Sequence, residues 1–202
     1  RDLHPFPTRR SSDLSADILA VSNRTNNTIR LYQIALDGSL ATIPGAELDP
    51  EMPDEVYGLC MYKSPVTGKF FVFVNNKEGD VEQWELASSG NTITGKIVRK
   101  LRLGSQVEGM VADDELAVLY VGEEKTGIWK FSAEPGGGLE GQLLPFSSEA
   151  GNENIRFDIE GLAVYKVSEE TGYLIASSQG NDSYAIFSRQ SPHEYLGSFR
   201  II

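Results

Sequence analysis

The strongest constraint in the sequence is a repeat of about fifty residues. The segments EVYGLCMY, QVEGMVAD and DIEGLAVY begin at Glu55, Gln106 and Asp158, so successive copies start 51 and 52 residues apart. In each copy one polar side chain stands directly before a glycine, inside an apolar run: Tyr57, Glu108 and Glu160. Self-similarity at this period is typical of solenoids and propellers, in which each repeat is one supersecondary unit.

A second set of repeated segment ends follows the same period. VSNR, VNNK, VGEE and ASSQ each precede an apolar segment, and their last residues are Arg24, Lys77, Glu124 and Gln179. Short segments of alternating polarity, such as FFVFVNN and GYLIASS, lie between turn sequences such as SPVTGK. About four strands per period predict an all-β chain, a β-propeller of four-stranded antiparallel blades. We expect about three and a half to four blades in this chain, the first of which begins in mid-blade.

The first fourteen residues, RDLHPFPTRRSSDL, differ from everything that follows. The run TRRSSDL resembles the translation of a sequencing adapter, so we predict a non-native segment at residues 1–14 and a partial propeller domain at 15–202. The alternative is a basic, proline-containing arm. The whole chain has a formal net charge of −11, and three Arg and two Asp give the segment +1, so residues 15–202 carry −12.

The remaining composition excludes several partners and chemistries. An acidic domain argues against nucleic acid as a partner, and no apolar run approaches the ~18–20 residues of a membrane span. Cys60 is the one cysteine in the sequence, so no disulfide framework exists within the chain. His4 and His193 are too few for a multi-histidine zinc site, and His193 stands in a polar loop, SPHEY.

Acidic side chains occupy several of the repeated positions. Equivalent residues of successive blades form rings around the channel of a propeller, and Asp158 shares a strand face with Glu160 because side chains alternate along a strand. Four carboxylates are therefore expected in one pocket: Glu108, Glu124, Asp158 and Glu160. Carboxylates in a partly desolvated pocket must take up protons or bind cations. Oxygen donors, with Gln179 beside them, favour Ca²⁺, and Mg²⁺ or Mn²⁺ after it.

The other repeated positions carry cations and a phenol. Arg24, Lys77 and Tyr57 lie across the predicted ring from the acids, an arrangement that favours an anionic, phosphorylated ligand. Each of these residues taken alone also has a simpler explanation, which is a solvated strand end. The glycines have a second explanation too, because they allow close packing where blades converge.

Eight stretches of the sequence together resemble a known family. They are SNR-NNTI at 22–29, EVYG at 55–58, TGK at 67–69, KEG at 77–79, EGM-ADDE at 108–115, IWKFSAEP at 128–135, DIEGL at 158–162 and ASSQGN-SYAI at 176–186. Their order and spacing are similar to those of the β-propeller phytases, the calcium-dependent alkaline phytases of bacteria. The resemblance runs from about Ile18 to Ile202.

This resemblance implies a fold, a site and a reaction. The implied fold is a six-bladed propeller, and the implied calcium ligands are Glu108, Glu124, Asp158, Glu160 and Gln179. The implied substrate-binding residues are Arg24, Tyr57, Lys77 and Glu78, and the implied catalytic residues are Glu108, Tyr57 and Lys77. The implied reaction is that of a 3-phytase, in which a metal-activated water hydrolyses phosphate monoesters of phytate (myo-inositol hexakisphosphate), supplied as calcium phytate. The full-length protein is then expected to be a secreted or periplasmic monomer that acts on this small-molecule substrate.

The family pattern is only partly present. An N-terminal acidic pair and a lysine of the first blade would precede Ser15, and a C-terminal aspartate-rich segment would follow Ile202. We therefore expect an internal fragment with little or no phytase activity by itself. Two alternatives stay open: a non-catalytic calcium-binding propeller for an anionic ligand or a protein partner, and a gluconolactonase-like propeller hydrolase.

Overall fold

The computed structural model describes residues 17–201, so the predictions made for residues 1–14 lie outside the described range. Within that range the chain is built from β-strands and one short 3-10 turn, Gln179–Asn181. The strands are β1 (Asp17–Asn23), β2 (Thr28–Ile34), β3 (Leu40–Leu48), β4 (Val56–Lys63), β5 (Phe70–Asn76), β6 (Asp80–Ser89), β7 (Thr92–Arg102), β8 (Val107–Asp113), β9 (Val118–Glu123), β10 (Gly127–Ser132), β11 (Gln142–Leu143), β12 (Ile159–Lys166), β13 (Gly172–Ser178), β14 (Ser183–Ser188) and β15 (Tyr195–Phe199). No helix among the described residues is long and apolar enough to cross a membrane.

The strands form antiparallel sheets in which neighbours in sequence are neighbours in space. Over residues 17–201 the sheets are β1–β3, β4–β7, β8–β11 and β12–β15. Three of them have the four strands predicted for a propeller blade. The first has three, and its β1 leads into the turn at Arg24 as β5 leads into the turn at Lys77. Among the described residues, strand β1 therefore has the place of a second strand.

Strand burial follows from the stacking of sheets. In β13, Leu174, Ala176 and Ser178 are buried and alternate with more exposed neighbours, because one face of this sheet packs on the preceding sheet. In β5 the run from Phe71 to Asn76 is buried without alternation. A continuous buried run is expected of a strand that has a sheet on each side.

Three apolar cores fill the spaces between successive sheets. The first contains Ile29, Leu31, Val72, Val74 and Trp84. The second contains Phe71, Phe73, Leu119, Val121 and Phe131, and the third Tyr120, Ile128, Leu174, Ala176 and Phe187. At the inner edge, β1 contacts β4, β4 contacts β8, and β8 contacts β12. Blades that touch along their inner edges and stack through apolar cores are the arrangement of a β-propeller, which confirms the predicted fold class.

A buried ion pair joins the third sheet to the fourth. Arg189 Nε and Nη2 donate to Asp113 Oδ2 and Oδ1 at 2.5 and 2.6 Å, and neither side chain is exposed. Arg189 Nη1 also donates to the carbonyl of Ser168 at 2.8 Å. A buried charge is tolerated only when it is paired and hydrogen-bonded, so this contact fixes how the two sheets meet. These sheets and their loops carry all four predicted metal-binding acids.

His193 is buried, although its sequence context, SPHEY, predicted a polar loop. Its side chain packs edge-on against Tyr120 of the preceding sheet, with ring centroids 5.5 Å apart. Its Nε2 lies 3.0 Å from Lys130 Nζ, and its Nδ1 lies 3.1 Å from the carbonyl of Ser188. A neutral imidazole satisfies both contacts, because Lys130 donates to Nε2 while Nδ1–H donates to the carbonyl. Burial, with the charge of Lys130, holds the pKa of His193 below its usual 6.5.

This burial predicts a pH dependence of stability. As the pH falls, the histidine of the unfolded chain takes up its proton before the buried one does, so stability is kept above pH 6.5 and lost below it. The urea midpoint of the wild type should fall between about pH 7.5 and about pH 5.5, and His193→Gln should reduce that fall. The variant His4→Gln controls for the other histidine. An equal pH slope in wild type and His193→Gln would contradict the prediction.

Candidate functional site

A β-bulge lies at each repeated polar-residue–glycine pair. The pairing register of the innermost strands shifts between Val56 and Leu59, between Val107 and Met110, and between Ile159 and Leu162. Each shift spans one of the pairs Tyr57–Gly58, Glu108–Gly109 and Glu160–Gly161. A bulge interrupts the regular ladder and re-aims a side chain. The bulge at each repeated motif therefore sets the direction in which the side chain of Tyr57, Glu108 or Glu160 points.

The glycines of these pairs lie where neighbouring blades meet. A Cβ on Gly58 would stand 2.0 Å from the carbonyl oxygen of Glu108, and one on Gly109 would stand 1.8 Å from the carbonyl oxygen of Glu160. No side chain fits there, so glycine lets the backbone of one inner strand touch that of the next. This supports the close-packing explanation of the repeat. The same contacts place Tyr57, Glu108 and Glu160 on three consecutive blades at one level.

Hydrogen bonds from polar side chains connect neighbouring blades at the level of Tyr57 and Glu108. Ser22 Oγ donates to the carbonyl of Tyr57 at 2.9 Å. Asn75 accepts from the main-chain nitrogen of Gly58 at 2.8 Å and donates to the carbonyl of Glu108 at 2.9 Å. Each of these side chains comes from a second-strand position and holds the bulge of the following blade. The peptide unit between Tyr57 and Gly58 and the carbonyl of Glu108 are therefore held by side-chain hydrogen bonds.

The structure brings the predicted acidic residues into one region. All four carboxylates are half-buried: Glu108, Glu124, Asp158 and Glu160. Burial raises the pKa of Glu124, and the charges of Asp158, Glu108 and Glu160 raise it further. Burial and the charges of Glu108 and Asp158 also raise the pKa of Glu160, while a hydrogen bond with Gln179 opposes that rise. The acids therefore lie close enough to repel one another, with Gln179 beside them as predicted.

The donor atoms of the predicted ligands are of the type that a hard cation prefers. Every predicted ligand offers oxygen, the donor that Ca²⁺ prefers, and a divalent cation would relieve the repulsion among the carboxylates. Among residues 17–201, however, no group of three or more His, Cys, Asp or Glu side chains is close enough to hold a metal ion. The carboxylates are thus gathered in one region without forming a closed cage.

Gln106 is a member of this region that the sequence analysis missed. Its Nε2 donates to Glu108 Oε1 at 2.8 Å and to Glu124 Oε1 at 3.1 Å, so one amide joins two repelling carboxylates. Its carbonyl also accepts from the main-chain nitrogen of Glu124 at 2.9 Å. The signal was available, because Gln106 stands two residues before Glu108 and strand alternation puts both on one face.

The predicted cationic residues form a second group around Tyr57. Lys77 Nζ lies 4.4 Å from the centroid of the Tyr57 ring, and Arg24 Cζ lies 4.9 Å from it. Arg24 Nη2 also donates to Glu55 Oε2 at 2.7 Å, a hydrogen bond that raises the pKa of Arg24. Glu55 is a second residue that the sequence analysis missed, although it stands two positions before Tyr57 as Gln106 does before Glu108.

Glu78 is placed less closely than the other predicted residues. It is exposed in the turn that carries Lys77, and its main-chain nitrogen donates to Asn76 Oδ1 at 3.1 Å. The structure gives it no hydrogen bond to Arg24, Tyr57 or Lys77 among the described residues.

The two groups of site residues lie on different blades. The cations and Tyr57 lie on the first two sheets, and the acids lie on the last two.

Comparison with known proteins gives one family. A family model described as Phytase matches residues 10–202. The 3-phytase of Bacillus subtilis (strain 168) is 45% identical over 193 residues, which cover 92% of this chain and 49% of that protein. The chain therefore spans about half the length of this curated relative.

Two solved structures are similar in fold. The periplasmic gluconolactonase PpgL of Pseudomonas aeruginosa has a TM-score of 0.60 at 13% identity, covering 95% of this chain and 52% of that one. A chain in a humanized mutant of the Chaetomium thermophilum Polycomb Repressive Complex 2, bound to an inhibitor, has a TM-score of 0.61 at 14% identity. That match covers 93% of this chain and 37% of the other. At such low identities the likeness shows a shared fold alone.

Proposed function

The chain belongs to the phytase family, and we propose that the whole protein hydrolyses phosphate monoesters of phytate with Ca²⁺ as its metal. The observation that carries this proposal is the division of charge at one level of the blades. Two cations contact the ring of Tyr57, and four half-buried carboxylates on the next two blades are near enough for their charges to interact. A phosphorylated ligand needs the first group, and acids alone would repel it unless cations lie between them.

The proposed substrate-binding residues are Arg24, Lys77, Tyr57 and Glu78. Arg24 offers a planar fork of donors that matches phosphate oxygens, and Lys77 offers a compact point charge. Both side chains are exposed, so a phosphate group can reach them without rearrangement of the core. Glu78, in the same turn as Lys77, is assigned on its sequence motif alone.

The proposed metal ligands are Glu108, Glu124, Asp158, Glu160 and Gln179. When bound, Ca²⁺ would neutralise carboxylates and phosphate together and activate water for attack on phosphorus. Glu108 occupies the boundary between the two groups, because its carbonyl touches the Tyr57 blade at Gly58 and its carboxylate is joined to Glu124 through Gln106. This position supports Glu108, with Tyr57 and Lys77, as the residues nearest the reacting phosphate.

The remaining parts of the proposal concern the whole protein. We propose a secreted or periplasmic monomer that takes calcium phytate as its substrate. The lactonase alternative is not favoured, because a neutral sugar lactone makes no use of the Arg24 and Lys77 pair. The fold similarity to a gluconolactonase does not change this, since folds are shared among unrelated activities.

Phosphate release tests the proposal. Full-length protein is incubated with calcium phytate, with and without a chelator, and free phosphate is measured. We expect release that stops when calcium is removed and returns when it is added back. Release that is indifferent to the chelator would contradict the role of calcium. Absence of release under all conditions would favour the non-catalytic binding module.

A further inference from the structure

We infer that Tyr57 acts through the face of its ring, holding Arg24 and Lys77 beside one another as a single phosphate-binding pair, with Glu55 occupying Arg24 until an anion replaces it. The inference rests on the proposed function, because it concerns the same anion site. It assigns a way of acting to Tyr57 and a positioning role to Glu55. Neither follows from the sequence motifs.

The geometry of the ring carries the first part. Both cations lie within the ~6 Å of a ring centroid at which attraction to the negative face of an aromatic ring is effective. Because Arg24 Cζ lies 4.9 Å and Lys77 Nζ 4.4 Å from one centroid, the two charges are no farther apart than the sum of these distances. Like charges at such distances repel, and attraction of both to one ring opposes that repulsion. Both cation contacts of the Tyr57 side chain are made with its ring. The ring is therefore the group that pairs the cations.

The fixed backbone of Tyr57 makes the ring a suitable platform. Ser22 holds its carbonyl, and Asn75 holds the nitrogen of the next residue, Gly58. Arg24 and Lys77, by contrast, are long, exposed side chains that each follow the end of a strand. Long exposed side chains lose much conformational freedom when a ligand orders them. A ring on a hydrogen-bonded main chain, already in contact with both cations, lowers the cost of binding phosphate.

The contact with Glu55 carries the second part. Its Oε2 lies 2.7 Å from Arg24 Nη2, where a phosphate oxygen would bind a guanidinium. The two side chains are 44% and 51% exposed, and an ion pair so exposed to water is weak. Phosphate carries more charge than a carboxylate and can engage both cations. It can therefore displace Glu55 from Arg24, which Glu55 has kept in place over the ring.

Binding of inorganic phosphate tests the role of the ring. Full-length wild type, Tyr57→Phe and Tyr57→Leu are titrated with phosphate by calorimetry in the presence of a chelator. We expect Tyr57→Leu to weaken binding about five- to tenfold, as the loss of two exposed cation–ring contacts should, and Tyr57→Phe to stay within about twofold of wild type. Tyr165→Leu, which removes an exposed ring from the fourth sheet, is the matched control and should bind as wild type.

Several results would overturn the role of the ring. They are a wild type that does not bind phosphate, a Tyr57→Leu variant that binds as tightly as wild type, and equal losses in the Phe and Leu variants, which would assign the effect to the hydroxyl. Tyr57→Met repeats the test if the Leu variant has a lowered unfolding midpoint. The ring contact can also be observed by NMR. The ring-current shifts of the Lys77 side-chain protons should persist in Tyr57→Phe and disappear in Tyr57→Leu.

Glu55→Gln tests the exchange with phosphate. The change removes a competing charge and keeps an oxygen that can accept from Arg24, so phosphate should bind about two- to fivefold more tightly at low salt, with the gain shrinking as salt rises. Glu47→Gln is the matched control, because Glu47 pairs with Arg30 at 3.1 Å and similar exposure. Unchanged or weaker binding by Glu55→Gln would overturn the exchange. A protein that shows both effects yet releases no phosphate from phytate would overturn the proposed function alone.

Discussion

Replacing Glu108 and Glu160 together by glutamine is expected to reduce phosphate release by the full-length protein by about a hundredfold or more. The two residues occupy equivalent bulges on neighbouring blades, and the main chains touch there through Gly109. Glutamine keeps the size of each side chain and removes two of four charges. Because the charges are what would gather calcium, cation affinity should fall with activity.

The same double variant is expected to fold at least as well as the wild type. Burial and neighbouring carboxylates raise the pKa of Glu160, which means that its charge is unfavourable in the folded, cation-free protein. Neutral glutamine removes that unfavourable term above the usual carboxylate pKa. The urea midpoint in chelator should therefore be unchanged or higher, and Glu153→Gln, an exposed acid elsewhere, should change neither activity nor midpoint. Undiminished phosphate release by the double variant would show that the site lies elsewhere.

The repeat made the fold and much of the site predictable. Equivalent residues of equivalent blades take equivalent places, so a spacing in sequence becomes a position in space. That is why spacing alone brought Glu108, Glu124 and Glu160 together, and Arg24 with Lys77. Alternation along the strand added Asp158. The same alternation, applied to the other two copies, would have found Gln106 and Glu55.

Contacts between blades were not predictable in this way. Asp113 ends the repeated segment QVEGMVAD, but the matching residues of the other copies are Tyr62 and Tyr165. Arg189 is 76 residues from Asp113 and outside the repeated segments, so nothing in the period pairs the two.

His193 has polar neighbours in sequence, yet it is buried because Lys130 and Tyr120 of the preceding blade cover it. Equivalent positions in the repeat also do not determine the distances between the side chains that occupy them. The repeat brought the acids into one region, but among the described residues they do not form a closed cage.

Gly109→Ala is expected to cost about 3 kcal/mol or more of unfolding free energy. The added methyl would stand 1.8 Å from the carbonyl oxygen of Glu160, and the next atoms in its way are also main chain. Main chain cannot rotate aside as a flexible side chain can, so the inner strands β8 and β12 must separate. Gly136→Ala is the matched control, because nothing lies within 4 Å of the position of its Cβ, and its cost should stay within about 0.5 kcal/mol.

The loss in Gly109→Ala should reach the site as well as the fold. Separation of β8 from β12 moves Glu108 away from Glu160, so cation affinity and phosphate release should fall even at temperatures where the variant remains folded. Urea denaturation and phosphate release measured on the same preparation check both effects. Normal stability in Gly109→Ala would mean that the blades do not touch there. Lowered stability with full activity would mean that the contact between Gly109 and Glu160 packs the blades and does not position the carboxylates.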